Sequence, residues 1–565
     1  MKVGELALGA RAGVISRLGL ATGSGWTWLT LLVAALVAVP ILVVLAHVVV
    51  PSGEVWSHLW QTVFSRYVRN TFWLILGVGT GVTVIGVGTA WLVVMCRFPG
   101  RGLFRWALLL PLAVPTYVIA YAYTDLLQFA GPVQTLLRDS FEWQREDYWF
   151  PQIRSLGGAI ALMSLVLYPY VYLLTRAAFI EQSACVLEVG RTLGRGPARL
   201  MLGVAVPLAR PAIAGGAALA LMETLNDFGA VQFFGVDTFT TGIYRTWFGL
   251  GEQAAAAQLA ACLLVFVAVL LLLERWSRRQ ARFFHTSSRY RELPQFQLRG
   301  GRAVLAIAAC ALPVMLGFML PAALLLGMHL REGDPLFGTR FLVFAGNSLT
   351  LASVAAVCAV ALALLLSYGL RLRPGVLTRA AARVASVGYA IPGSVIAVGV
   401  LIPLAWIDSQ VNLFAHQRFG AAPGLILTGT IVALVYAYVV RFLAVSFSTL
   451  EASLGKITPS MDAVSRTLGA GAGATLRRVH MPIMRGSLAA AAILVFVDVM
   501  KELPATVILR PFNFDTLAIR AHELASDERL AQASTAALAI VAVGIMPVVL
   551  LSIAMSRARP GGSQS

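Results

Sequence analysis

The stretch Glu188–Pro211, EVGRTLGRGPARLMLGVAVPLARP, recurs 275 residues later as Ala463–Gly486, AVSRTLGAGAGATLRRVHMPIMRG. The copies align without a gap, and 9 of the 24 positions are identical. They include Arg191/Arg466, Thr192/Thr467, Leu193/Leu468, Gly194/Gly469, Pro207/Pro482 and Arg210/Arg485. Each glycine follows Thr-Leu, where a left-handed residue can end a helix. Pro207 and Pro482 stand where the chain enters a long apolar run, a first-turn position that proline tolerates. Each copy therefore reads as two short helices joined at a turn. A polar loop displayed twice by an otherwise apolar chain points to a docking surface, with Leu193, Leu200 and Met201 as a short apolar knob.

Composition says what surrounds these loops. The 565 residues are 58% hydrophobic and 12% charged, with mean hydropathy +0.80. Soluble domains carry about 25% charged residues, so the bilayer is the expected solvent. A spanning helix needs about 20 mostly apolar residues. Twelve such runs occur, near 28–50, 70–95, 104–128, 157–178, 206–232, 254–274, 303–329, 346–370, 384–406, 423–446, 485–508 and 532–556. No alternating β-barrel pattern is present, so helices must satisfy the backbone. The first run is too long for a signal-peptide core and reads as an uncleaved first helix.

The net charge of +18 reflects topology rather than nucleic-acid binding. With the N-terminus inside, 30 Lys and Arg fall on inner segments and 12 on outer loops, leaving Arg441 and Lys501 within apolar runs. That is the positive-inside bias. It places both repeated loops and both termini in the cytoplasm of a multi-pass protein. The five cysteines form no CxxC and read as small core residues.

The repeat extends beyond the loops. Asn70-Thr71 parallels Asn347-Ser348, and PTYVIAYAY (Pro115–Tyr123) parallels PGSVIAVGV (Pro392–Val400), both at an offset of 277. The expectation is an all-α polytopic membrane protein of about 12 helices in two parallel, pseudo-symmetric six-helix halves. The first half is 1–274 and the second is 302–565. A basic cytoplasmic linker, 275–301, joins them.

The loop offset also pairs Glu223 with Asp498 and Asp227 with Glu502. Each half thus has two acids at i and i+4, on one helix face. An acid at a helix centre costs about 2.5–3.5 kcal/mol on insertion scales, so these side chains should contact protein or water. They could line a cation pathway, with oxygen from Tyr117, Tyr121, Tyr168, Tyr170 and Tyr172 nearby. The structural alternative has Lys501 neutralising Asp498 or Glu502. No metal ligands can be assigned.

At this point the chain resembles a known family. Glu188, then Gly194, then Val204-x-Val206-Pro207, is similar to the EAA loop of binding-protein-dependent ABC importer permeases. The second copy matches at Gly469, Val479, Met481 and Pro482 but has Ala463 at the Glu position. Asp462, one residue early, would point about 100° away on a helix. Met222–Phe248 and Met500–Ser534 resemble the fused permeases of ferric-iron importers. The resemblance implies the type I importer permease fold in the bacterial inner membrane. It implies coupling residues Glu188, Arg191, Thr192, Leu193, Gly194 and Pro207, with Arg466, Thr467, Leu468, Gly469 and Pro482 in the second loop. The implied partners are two ATP-binding cassette subunits carrying ATP and Mg, and a periplasmic substrate-binding protein. Related permeases serve thiamine, polyamine, sulfate or phosphonate.

What is absent narrows the reading. The only lysines are Lys2, Lys456 and Lys501, and none completes G-x-x-x-x-G-K-[ST]. Neither a P-loop nor HExxH occurs, and the seven histidines are scattered. A transport subunit without its own ATPase site, rather than an enzyme, is expected. No cofactor is expected on this chain. His480 reads as an interface residue of the second loop. An ion-gradient-driven secondary transporter with parallel halves remains the competitor from another class, followed by a membrane-embedded enzyme and a non-transporting scaffold.

Overall fold

The computed structural model describes residues 25–182, 192, 196–279, 295–336 and 338–557. The first half supplies α1 (Gly25–Ala46), α2 (Ser65–Met95), α3 (Thr116–Leu127), α4 (Leu156–Glu181), α5 (Val206–Asn226), α6 (Gly229–Phe233) and α7 (Gln253–Arg279). After the linker come α8 (Gly301–Val314), α9 (Leu320–Arg331), α10 (Thr339–Leu372), α11 (Gly393–Phe419), α12 (Ile431–Leu454) and α13 (Pro459–Thr467). The chain ends with α14 (Arg485–Met500), α15 (Pro504–Leu509), α16 (Leu517–Ser526) and α17 (Leu530–Arg557). Ten described helical segments are long and apolar enough to cross a membrane, and two bent pairs raise the number to twelve.

Breaks in these spans have local causes. The third run is interrupted after a 3₁₀ turn at Leu110–Ala113, and its two limbs meet at 90°. Pro115 then precedes α3 and cannot donate to the preceding turn. The second half repeats the device, with a 3₁₀ turn at Gly388–Ala390 and Pro392 before α11. The ninth span therefore begins later than the apolar run beginning near 384 suggests. The eleventh run ends its helix at Met500, before Lys501 and Glu502.

The helices pack as two compact units. Among the described residues, one joins those up to Pro51 to Ala345–Asp515, and the other joins those of Ser52–Phe344 to those from Thr516 to Arg557. These units cut across the repeat halves. Span α1 packs with second-half helices, whereas α8, α9 and α17 pack with first-half helices. Small residues permit these close packings, as is usual between membrane helices. A Cβ on Gly399 of α11 would stand 2.2 Å from the Pro40 carbonyl oxygen of α1. A Cβ on Gly544 of α17 would stand 2.2 Å from the Ala113 carbonyl oxygen. In the second unit α2 and α4 form the most extensive helix pair. Cys96–Arg97 also pairs in parallel with Phe296–Gln297 there.

Gly399→Leu should push α1 from α11 and cost about 1–3 kcal/mol, the usual penalty for overpacking. Thermal unfolding in detergent tests this. An unchanged midpoint would show that the contact between α1 and α11 tolerates a side chain.

Candidate functional site

The second repeated loop is described in full. Pro459 occupies the first turn of α13, and Gly469 closes the helix with φ +78°. The Gly469 N–H donates to Arg466 O at 3.0 Å, and the Ala470 N–H to Ser465 O at 3.0 Å. This paired closure uses the left-handed residue expected from the sequence. A short helix Ala472–Thr475 and a wide turn Leu476–His480 follow. The chain then bends by 80° into α14. The first copy repeats the short helix and the wide turn at the same offset, Pro197–Leu200 and Met201–Ala205, but runs on into α5 as one span without that bend. Glu188, Arg191, Leu193 and Gly194 lie outside the described residues. Thr192 is exposed, and Pro207 is in the first turn of α5.

The two faces of α13 differ. Met461, Val464 and Leu468 are exposed, Leu468 by 82%. Their spacing of three and four residues puts them on one stripe. Arg466 and Thr467 are exposed beside them. Asp462 turns inward. Its Oδ2 accepts from Arg371 Nη2 at 2.6 Å and Nε at 3.0 Å. Its Oδ1 lies 2.8 Å from His480 Nε2. The displacement of the acid by one residue thus gives an internal ion pair. His480 is fully buried, so it is a packing residue inside the loop rather than part of an outer interface. Its ring meets Tyr368 edge-on at 5.4 Å. Burial holds the imidazole below its ordinary pKa, with Asp462 opposing and the Arg371 charge adding to the depression.

The acids in the apolar runs occupy a second repeated geometry. Both helices stop between the paired acids, α5 at Asn226 and α14 at Met500. The expected common helix face is therefore interrupted. Asp227 Oδ1 accepts the N–H groups of Ala230 at 3.1 Å and Val231 at 3.0 Å. Glu502 accepts the equivalent pair, from Ala505 at 3.0 Å and Thr506 at 3.1 Å. Each carboxylate thus takes up free N–H groups at the start of a short helix, α6 or α15. Threonine hydroxyls add to both sites, from Thr240 to Asp227 O and from Thr506 to Glu502 O, each at 2.8 Å.

The second shared position explains how Asp and Glu can be equivalent. Thr116 donates its hydroxyl to Asp227 Oδ2. Its counterpart in the repeated PTYVIA/PGSVIA motif is Gly393. A Cβ there would stand 2.6 Å from Glu502 Oε1 and 2.8 Å from Arg441 Nη1. Removing that side chain makes room for the longer acid and a guanidinium. Arg441 Nη1 donates to Glu502 Oε1 at 3.1 Å, and both side chains are buried. Lys501 pairs instead with Asp498, at 3.1 Å. Glu223 lies close enough to Asp227 to add to its negative field. Tyr117, Tyr121, Tyr168 and Tyr172 are buried, and Tyr170 is partly exposed. The Tyr121 hydroxyl lies 3.0 Å from His522 Nδ1, and Tyr172 donates to Arg105 O at 3.1 Å.

Thr116, Arg371 and Thr506 gave no signal of their own as site residues. Arg441 did carry one, because an isolated arginine in an apolar run requires a partner. Among the described residues, no group of three or more His, Cys, Asp or Glu side chains could hold a metal ion.

This architecture of apolar spans and a repeated loop is that of a transport permease. Residues 82–283 match the binding-protein-dependent transport system inner membrane component family, and the chain is a permease of that class. Such a permease is a multi-pass inner-membrane protein that works with ATPase and substrate-binding partners. The chain is 26% identical to the Fe(3+)-transport system permease protein FbpB 2 of Haemophilus influenzae over 535 residues. That alignment covers 93% of this chain and 97% of the relative. A probable ABC transporter permease protein, y4fN of Sinorhizobium fredii, is 23% identical over 80% of this chain and 82% of its own. The molybdenum transport system permease protein ModB of Escherichia coli is 28% identical over 203 residues, 35% of this chain and 86% of the relative.

Glu502→Gln removes the carboxylate paired with the buried Arg441, at a cost of about 3–5 kcal/mol. Asp227→Asn retains an acceptor among neutral donors and should cost less, about 1–2 kcal/mol. Thermal unfolding of the two variants in detergent gives the order, and the reverse order would refute these electrostatic assignments.

Proposed function

We propose that this chain is the membrane subunit of an ATP-driven importer of ferric iron, with both permease halves in one polypeptide. The observation that carries the substrate is the end-to-end likeness to the Haemophilus ferric permease. Asp227 and the neighbouring Glu223 support it secondarily, because their carboxylates favour a cation over an oxyanion in an adjacent path. Glu223, Asp227, Asp498, Lys501 and Glu502 are then the residues nearest that path.

The assembly follows from the repeat. Two ATP-binding cassette subunits, each with ATP and Mg, seat one loop apiece. In the first loop Glu188, Arg191, Thr192, Leu193, Gly194 and Pro207 form the seat. In the second, Arg466, Thr467, Leu468, Gly469 and Pro482 do so, with the exposed Leu468 as its apolar knob. The basic inner segments put both loops and both termini in the cytoplasm. A periplasmic binding protein delivers substrate to the opposite face. Closure of the ATPase pair draws the loops together and opens the path outward, and hydrolysis resets it. In this arrangement the first half is 1–274, the linker 275–301 and the second half 302–565.

Reconstituted vesicles containing the chain, its ATPase and its binding protein should take up ferric iron only with ATP. Uptake driven by an ion gradient without the ATPase would exclude this reading in favour of a secondary transporter. Inhibition by molybdate but not by ferric iron would move the substrate to the oxyanions. The double variant Asp227→Asn, Glu502→Gln should lower ferric uptake in the same vesicles. Uptake at the original rate would leave both acids as helix caps alone.

A further inference from the structure

The inward face of the second loop contains a joint that the docking role does not require. Arg371 is in the last turn of α10. Besides Asp462, its guanidinium donates to Leu454 O at 2.6 Å and to Ile457 O at 2.9 Å. Leu454 is the last residue of α12, where the helix dipole favours a cation, and its carbonyl also accepts the Ile457 N–H at 3.1 Å. His480 ends the wide turn that leads through Met481–Ile483 to α14. Asp462 divides its two oxygens between these sides, Oδ2 to Arg371 and Oδ1 toward His480. One carboxylate on α13 therefore ties the end of α10, and through Arg371 the end of α12, to the entrance of α14.

Two further contacts brace the same region. The Tyr368 hydroxyl of α10 donates to Ala472 O at 2.8 Å, and Ser465 and Thr475 share a hydroxyl hydrogen bond of 2.7 Å. The loop cannot shift far without moving α10 or breaking charge-assisted bonds in a partly dry setting. The outer stripe of Met461, Val464 and Leu468 takes no part in this network. Docking and bracing are therefore on opposite faces of one helix.

We propose that Asp462 is a positioning residue that converts displacement of the second loop into movement of α10, α12 and α14. This rests on the docking reading given above. An ATPase pulling on the outer stripe moves α13, and Asp462 carries that motion to three helices at once. Without the carboxylate the ATPase would still bind and hydrolyse ATP, but the spans would follow the loop poorly.

The test uses the assembled transporter with its ATPase and binding protein, and reads three quantities: ATPase co-purification, ATP hydrolysis and substrate uptake. Failure of the wild-type chain to retain the ATPase would sink the docking reading itself. With docking intact, Asp462→Ala should keep co-purification and hydrolysis while uptake per ATP falls about tenfold, within the usual range of coupling between linked sites. Asp462→Asn keeps the shape and loses the charge, and should fall between Asp462→Ala and wild type. If Asp462→Ala does not assemble, Asp462→Asn decides, with a lowered uptake-to-ATP ratio expected at unchanged co-purification. A wild-type ratio in Asp462→Asn would overturn the proposal. So would a loss of uptake in either variant that merely tracks loss of bound ATPase, because the residue would then only shape the docking face.

Discussion

A membrane helix that breaks inside an apolar run and starts again exposes the N–H groups of its new first turn, which lipid cannot satisfy. In this chain a carboxylate takes them up, and it does so twice. Asp227 caps the short helix after α5, and Glu502 caps the one after α14, each accepting N–H groups three and four residues further on. The interrupted spans depend on these caps. Without them each break would leave two buried donors unpaired, at about 1–3 kcal/mol apiece.

The two breaks reach the same geometry by different chemistry. In the first half a short acid is met by a threonine hydroxyl. In the second, a longer acid is met by Arg441, and the threonine position becomes Gly393 to admit it. The exchange clears a side chain at one position and changes the charge of the site. A buried ion pair is seldom a net source of stability against a well-packed apolar alternative. Its presence on one side only makes the pseudo-symmetric halves electrostatically unequal. Asp498 and Glu502 each have a basic partner, whereas among the described residues the side-chain oxygens of Asp227 accept from the neutral Thr116, Ala230 and Val231.

The second loop shows a comparable division of work on a single helix. Met461, Val464 and Leu468 face outward as an exposed apolar stripe. Asp462 faces the other way, into arginine and histidine. The helical advance of about 100° per residue separates these roles. An acid at position 463 would point elsewhere than one at 462.

Span number, the repeat register and the left-handed close at Gly469 were all legible in the sequence. The bilayer imposes length and composition on every span, and duplication leaves its offset in the residues. The acids were legible as a pair in each half, but their task was not. The i, i+4 spacing assumed one unbroken helix, and the breaks before Asp227 and Glu502 removed that assumption. Likewise, Arg441 announced a buried partner without naming Glu502, and Lys501 stood closer in sequence. Only the tertiary structure decided that α1 groups with second-half helices, that Asp462 meets Arg371 and His480, and that Gly393 makes room for an ion pair. Each of these turns on which backbone and side-chain groups lie within a few ångströms after packing, and residue spacing along the chain does not contain that distance.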